Sequence, residues 1–122
     1  MIVYLSGWLT VLGLVFTTAL FVINHVNPQQ GEGRVWLHCT VGKLTLVTTL
    51  IHIYVYPFEG FNSFAIWSAV GLILITIGTG VILSYLPNAG KIRFQARSFH
   101  PALMVGIVVA VLHHILVQLS II

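Results

Sequence analysis

The chain has 122 residues, 58% of them hydrophobic and only 6% charged, where a typical soluble domain is about 25% charged. Together with a mean hydropathy of +1.05, this excludes a water-soluble globular domain. Five Lys and Arg against two acids are too few cations for the phosphate-binding stripe of a nucleic-acid protein. No nucleic-acid partner is expected, and the basic balance reads as membrane topology.

A membrane-spanning helix needs about 20 mostly apolar residues, and four segments meet that length. The first, over about 2–23, carries no charge and breaks at Asn24-His25-Val26-Asn27-Pro28. With no basic stretch before it and no small-x-small site after it, it reads as a retained span. The second, over about 35–56, stops at Pro57. The third, over about 64–86, follows Asn62-Ser63 as a candidate cap and stops at Pro87-Asn88. The fourth, over about 99–121, has Ser98 as a candidate cap and Pro101 in its first turn, where proline is tolerated. The expected fold is all-α: one integral-membrane domain over 1–122, a four-helix up-down bundle surrounded by lipid.

Loop cations set the expected orientation. The first and third connections share a side and carry Arg34, Lys91, Arg93 and Arg97, whereas the second, 57–63, has neither Lys nor Arg. The positive-inside rule then places both termini outside a cell (inner, cytoplasmic) membrane. The single cysteine, Cys39, allows no disulfide within the chain, and no C-x-x-C-H haem-attachment motif is present.

The second half of the chain can be laid over the first as a tandem repeat, weak in identity but strong at histidines. The shift that brings His100 onto His38 also brings His114 onto His52. Within each pair the two histidines are separated by two heptads, which puts both members on one helix face. The axial rise between them is about 21 Å, inside a hydrocarbon core of about 30 Å. In an up-down bundle His38 faces His100 at the inner level and His52 faces His114 at the outer level. Imidazole in hydrocarbon is costly and marks function. Two facing pairs fit bis-histidine haem better than zinc, which wants further ligands close by. His113 could replace His114 by a small rotation or donate to a haem propionate. His25, at the end of the first span, reads as interfacial.

This constellation resembles the membrane di-haem cytochromes b, in which two helices of a four-helix bundle each supply two histidines about two heptads apart. The stretch Arg34-Val-Trp-Leu-His38-Cys-Thr-Val-Gly42, followed by His52, is similar to their ligand helix, and His100 to His114 to its partner. The resemblance implies two non-covalent b-type haems and electron transfer. Large cytochromes b carry further helices that help to form quinone sites, and this chain has none to match.

Around the ligands, Gly7, Gly13, Gly42, Gly71, Gly78, Gly80 and Gly106 are candidates both for flat haem walls and for close helix packing. Thr48, four residues before His52, is a candidate acceptor for its outer ring N–H, or leaves that bond to the backbone carbonyl; Thr45 reads as bonding its own helix backbone. Arg34, Arg93 and Arg97 are candidate propionate partners near the inner pair, and Lys43 reads as snorkelling. At the outer level the candidates for that part are Tyr54, Tyr56, Asn62, Trp67 or water. The expected function is transmembrane electron transfer as a cytochrome b subunit, with a partner redox subunit, a second copy or a quinone as source or sink. The alternatives are a haem enzyme oxidising a quinol or another small molecule, and a haem-free membrane anchor.

Overall fold

The computed structural model describes residues 1–28, 33–55 and 64–121, and among these the chain is helical in four segments. They are α1 (Ile2–Val26), α2 (Gly33–Val55), α3 (Phe64–Tyr85) and α4 (Gly90–Gln118). Helix α1, the Ile66–Tyr85 part of α3, and α4 are each long and apolar enough to cross a membrane. Helix α2 has the length, with 23 residues, but Arg34, Lys43, two histidines and its threonines make it less apolar. The chain is thus all-α with three helices suited to a multi-pass membrane protein.

In α1 and α2 burial is inverted relative to a soluble protein. In α1 the buried residues are Ser6, Thr10 and Thr17, and in α2 they are Thr45 and Thr49. Leu5, Leu12, Val15, Leu44 and Leu50 are exposed. Apolar side chains point outward while hydroxyls point inward and bond: Thr10 to the Ser6 carbonyl, Thr45 to Val41, Thr49 to Thr45. Lipid offers no hydrogen bonds, so polar groups must be satisfied inside the helix pair.

The chain divides into two compact units, Met1–Phe58 and Glu59–Ile122. The first is an antiparallel hairpin of α1 and α2. Its direction follows from cross-helix partners: Val3 meets His52, the Thr10 and Thr48 hydroxyls lie 3.0 Å apart, and Gly13 meets Thr45. A Cβ on Gly13 would overlap the Thr45 hydroxyl, so only glycine lets the helices approach here. The second unit pairs α3 with α4, again antiparallel, with Leu72 against Gly106 and Thr79 against His100. Its buried residues on α4 are Ala96, Met104 and Ile107, an apolar seam where the first hairpin has a hydroxyl one.

Helix α4 corrects the expected boundaries. It begins at Gly90 and not near 99, and ends at Gln118. Ser98 is therefore no cap but a mid-helix residue donating to the Phe94 carbonyl at 3.2 Å. Pro101 lies inside the helix, where it removes the hydrogen bond to the Arg97 carbonyl. The physical reason is that hydropathy delimits the apolar segment and not the helix. Lys91, Arg93, Gln95, Ala96 and Arg97 are good helix formers and continue α4 before its apolar part. Gly90, with φ +49, takes the left-handed conformation that turns the chain out of the short Leu86–Ala89 connection. Lys91, Arg93, Arg97 and Arg34 consequently sit on helices and not in loops. The candidate cap Asn62-Ser63 and the rest of 56–63 lie outside the described residues.

Two of these arginines make like contacts within their own hairpins. Arg34 donates to the Asn27 carbonyl at 2.8 Å; Arg93 donates to Pro87 at 3.1 Å and Leu83 at 3.4 Å. In each hairpin a guanidinium near the start of the second helix caps carbonyls at the end of the first, where positive charge is favoured.

Candidate functional site

Exposure separates the six histidines. His38, His52, His100 and His114 are half-buried, whereas His25 and His113 are exposed. His25 stacks on Phe21 with centroids 6.1 Å apart, as suits an interfacial residue. Adjacent residues on a helix differ by about 100° in direction, so one of His113 and His114 must turn outward, and His113 does.

In the first hairpin His52 reaches α1. Its Nδ1 lies 3.0 Å from the Val3 carbonyl oxygen and 3.4 Å from the Ser6 hydroxyl. A carbonyl only accepts, so Nδ1 carries the proton, and in the neutral ring Nε2 holds the lone pair. The Ser6 hydroxyl has backbone acceptors of its own in Ile2 and Val3. Gly7 admits the ring: a Cβ there would stand 3.0 Å from His52 Cε1. At the other end of α2, His38 is hydrogen bonded to the backbone of Thr17.

The second hairpin repeats the plan with another acceptor. His100 Nδ1 lies 2.8 Å from the Thr79 hydroxyl, which also lies 2.7 Å from the Thr76 carbonyl. Both bonds form together when Thr79 donates to Thr76 and accepts from His100 Nδ1–H. His100 then carries the same tautomer as His52, with its lone pair on Nε2. Thr17 and Thr79 are themselves equivalent under the shift that superposes His38 and His100. The internal repeat therefore extends from the histidines to the helix positions that hold them.

The remaining candidates divide. Thr48 bonds the Thr45 carbonyl and the Thr10 hydroxyl, while His52 Nδ1 is held by α1. Thr45 bonds its own helix at Val41, as expected. Gly7, Gly13, Gly80 and Gly106 face side chains of the partner helix in their own hairpin; a Cβ on Gly42, Gly71 or Gly78 would meet no atom of the described residues within 4 Å. Arg97 and Lys43 are exposed, and Arg34 is half-buried at its capping position. Tyr54 and Trp67 are exposed; Tyr56 and Asn62 lie outside the described residues.

The ring partners Val3, Ser6 and Thr79 lie on the neighbouring helices, which a pattern along the histidines' own helices does not reach. The available signal was the repeat, which matches Ser6 with Ser68 and Thr17 with Thr79. Among the described residues no three of His, Cys, Asp and Glu gather as a metal-binding group. A haem asks the protein for only two axial ligands, and neutral imidazoles presenting Nε2 lone pairs are suitable ones. Comparison with models of known protein families, with curated proteins and with solved structures yields no match.

Proposed function

We propose that this chain is a membrane electron-transfer protein that holds two b-type haems, one through His38 and His100 and one through His52 and His114. The observation that carries the reading is the doubled spacing, two heptads within each helix and one common offset between the helices. It falls on side chains that are half-buried in helices otherwise rich in exposed apolar residues. The Nδ1 contacts of His52 and His100 add support, because they leave the ligand lone pair on Nε2. A haem ligated in this way supplies a one-electron Fe(III)/Fe(II) couple. The chain's part is to orient the imidazoles, keep water from them with apolar outer faces, and set the local charge. Electrons enter and leave through a partner redox subunit, a second copy or a quinone, across a cell membrane with both termini outside.

The test is the reduced-minus-oxidised spectrum of the purified chain, with stoichiometry from a pyridine haemochrome assay. Two haems per chain are expected; a sample reconstituted with haemin that has no α band would refute the reading. The same preparation can be mixed with a quinol in a single turnover. Haem reduction there would mark the quinol as a direct donor.

Charge asymmetry predicts the order of the two potentials. Arg34 and Arg97 lie within about a turn of His38 and His100 along their helices, and the described part of α2 beyond Lys43 carries no cation. Positive charge favours the reduced iron, so the His38/His100 haem is expected to have the higher potential. A redox titration of single-haem variants that gives the higher value to the His52/His114 haem would reverse this assignment.

A further inference from the structure

The two inner histidines are held from the same position of the repeat, but by chemically different acceptors. His38 is bonded to the backbone of Thr17, whose hydroxyl is turned to the Gly13 and Leu14 carbonyls. His100 is bonded to the side chain of Thr79 at 2.8 Å. Gly80, next in sequence, keeps the approach open; a Cβ there would stand 3.6 Å from His100 Cε1. A backbone acceptor survives any side-chain substitution, whereas a hydroxyl does not. Helix α3 therefore contributes a removable group, through Thr79, that α1 does not contribute through Thr17.

We infer that Thr79 is a positioning residue for the cofactor: by accepting the Nδ1 proton of His100 it fixes the ring tautomer, makes Nε2 a stronger donor, and lowers the potential of the haem that His100 ligates. The inference rests on the haem reading above and adds to it a named tuning residue outside the two ligand helices. An acceptor at Nδ1 gives the imidazole anionic character, which favours Fe(III) over Fe(II). Loss of that acceptor should change the Fe(III)-to-Fe(II) affinity ratio by about tenfold, within the roughly 10–100-fold range of such outer contacts. For a one-electron couple, tenfold corresponds to about 59 mV.

The experiment is a redox titration, with haem content, of the full-length wild type and of Thr79→Val, Thr79→Ser and Thr49→Val. Thr79→Val should raise the potential of one haem by that tenfold ratio and leave the other in place. Thr79→Ser keeps a hydroxyl and should restore the wild-type value. Thr49→Val removes a buried hydroxyl that bonds the Thr45 carbonyl and should leave both potentials unchanged. Two haems with unaltered potentials in Thr79→Val would overturn this inference while leaving the haem reading intact. Equal shifts in Thr79→Val and Thr49→Val would also overturn it, because the loss of any inward-facing threonine hydroxyl would then account for both. If Thr79→Val loses the haem, an unshifted potential in haem-retaining Thr79→Ala overturns the inference and a raised one supports it. No α band in the wild type itself would remove the haem reading and this inference together.

Discussion

His38→Ala and His100→Ala are each expected to lower haem content from two per chain to one, and the double variant to remain at one. If both imidazoles serve the same iron, as proposed, removing the second ligand finds nothing left to lose. Such non-additivity is the signature of groups that act as a unit. His52→Ala and His114→Ala should behave alike at the other level. Combining across levels, as in His38→Ala with His52→Ala, should remove both haems. Pyridine haemochrome stoichiometry reads the result, and far-ultraviolet circular dichroism checks that the four helices persist. A histidine that serves only as a hydrogen-bond donor between helices would leave the content at two.

The fold was legible where hydropathy and helix geometry coincide. Helices α1 and α3 carry no Lys, Arg, Asp or Glu, and their expected spans of about 2–23 and 64–86 meet the observed Ile2–Val26 and Phe64–Tyr85 closely. In α4 the two signals part, because Lys91, Arg93, Gln95 and Arg97 are polar yet helix-forming, and the helix starts a full two turns before the apolar run. The histidines were legible because their cost in lipid makes each one conspicuous and the repeat marks them twice. Their hydrogen-bond partners were not. A pattern along one helix gives the face of each residue but not what the neighbouring helix places opposite it. That depends on which helices pair, and the pairing of α1 with α2 and of α3 with α4 appears only in three dimensions. The glycines show the same limit. Sequence alone left every one of them equally suited to packing or to a haem wall, and only the neighbours of each Cβ direction tell Gly13 from Gly42.

That distinction makes the second large prediction. Leucine at position 13 would drive a side chain into the Thr45 hydroxyl and separate α1 from α2. Overpacking a tight interface costs about 1–3 kcal/mol for small insertions, and a whole leucine at a backbone-to-side-chain contact belongs at or beyond the upper end. The Thr10–Thr48 bond at 3.0 Å and the Val3–His52 bond at 3.0 Å span the same interface, so they should be lost with it. Gly13→Leu is therefore expected to lower the thermal midpoint in detergent sharply and to lose haem as a consequence. A Cβ on Gly42 would meet no described atom within 4 Å, so Gly42→Leu should leave the thermal midpoint of the haem-free chain unaltered. Gly42 stands one turn from His38 on the same helix face, so a leucine there should still cost the His38/His100 haem. A Gly13→Leu chain that melts like the wild type would refute the α1–α2 contact. A Gly42→Leu chain that retains both haems would show that Gly42 makes no part of a haem wall. The double variant Gly13→Ala with Thr45→Ala supplies the internal check: shortening Thr45 removes the overlap with its hydroxyl and leaves its Cβ 3.1 Å from the added methyl, so the midpoint should recover part of what Gly13→Ala alone loses.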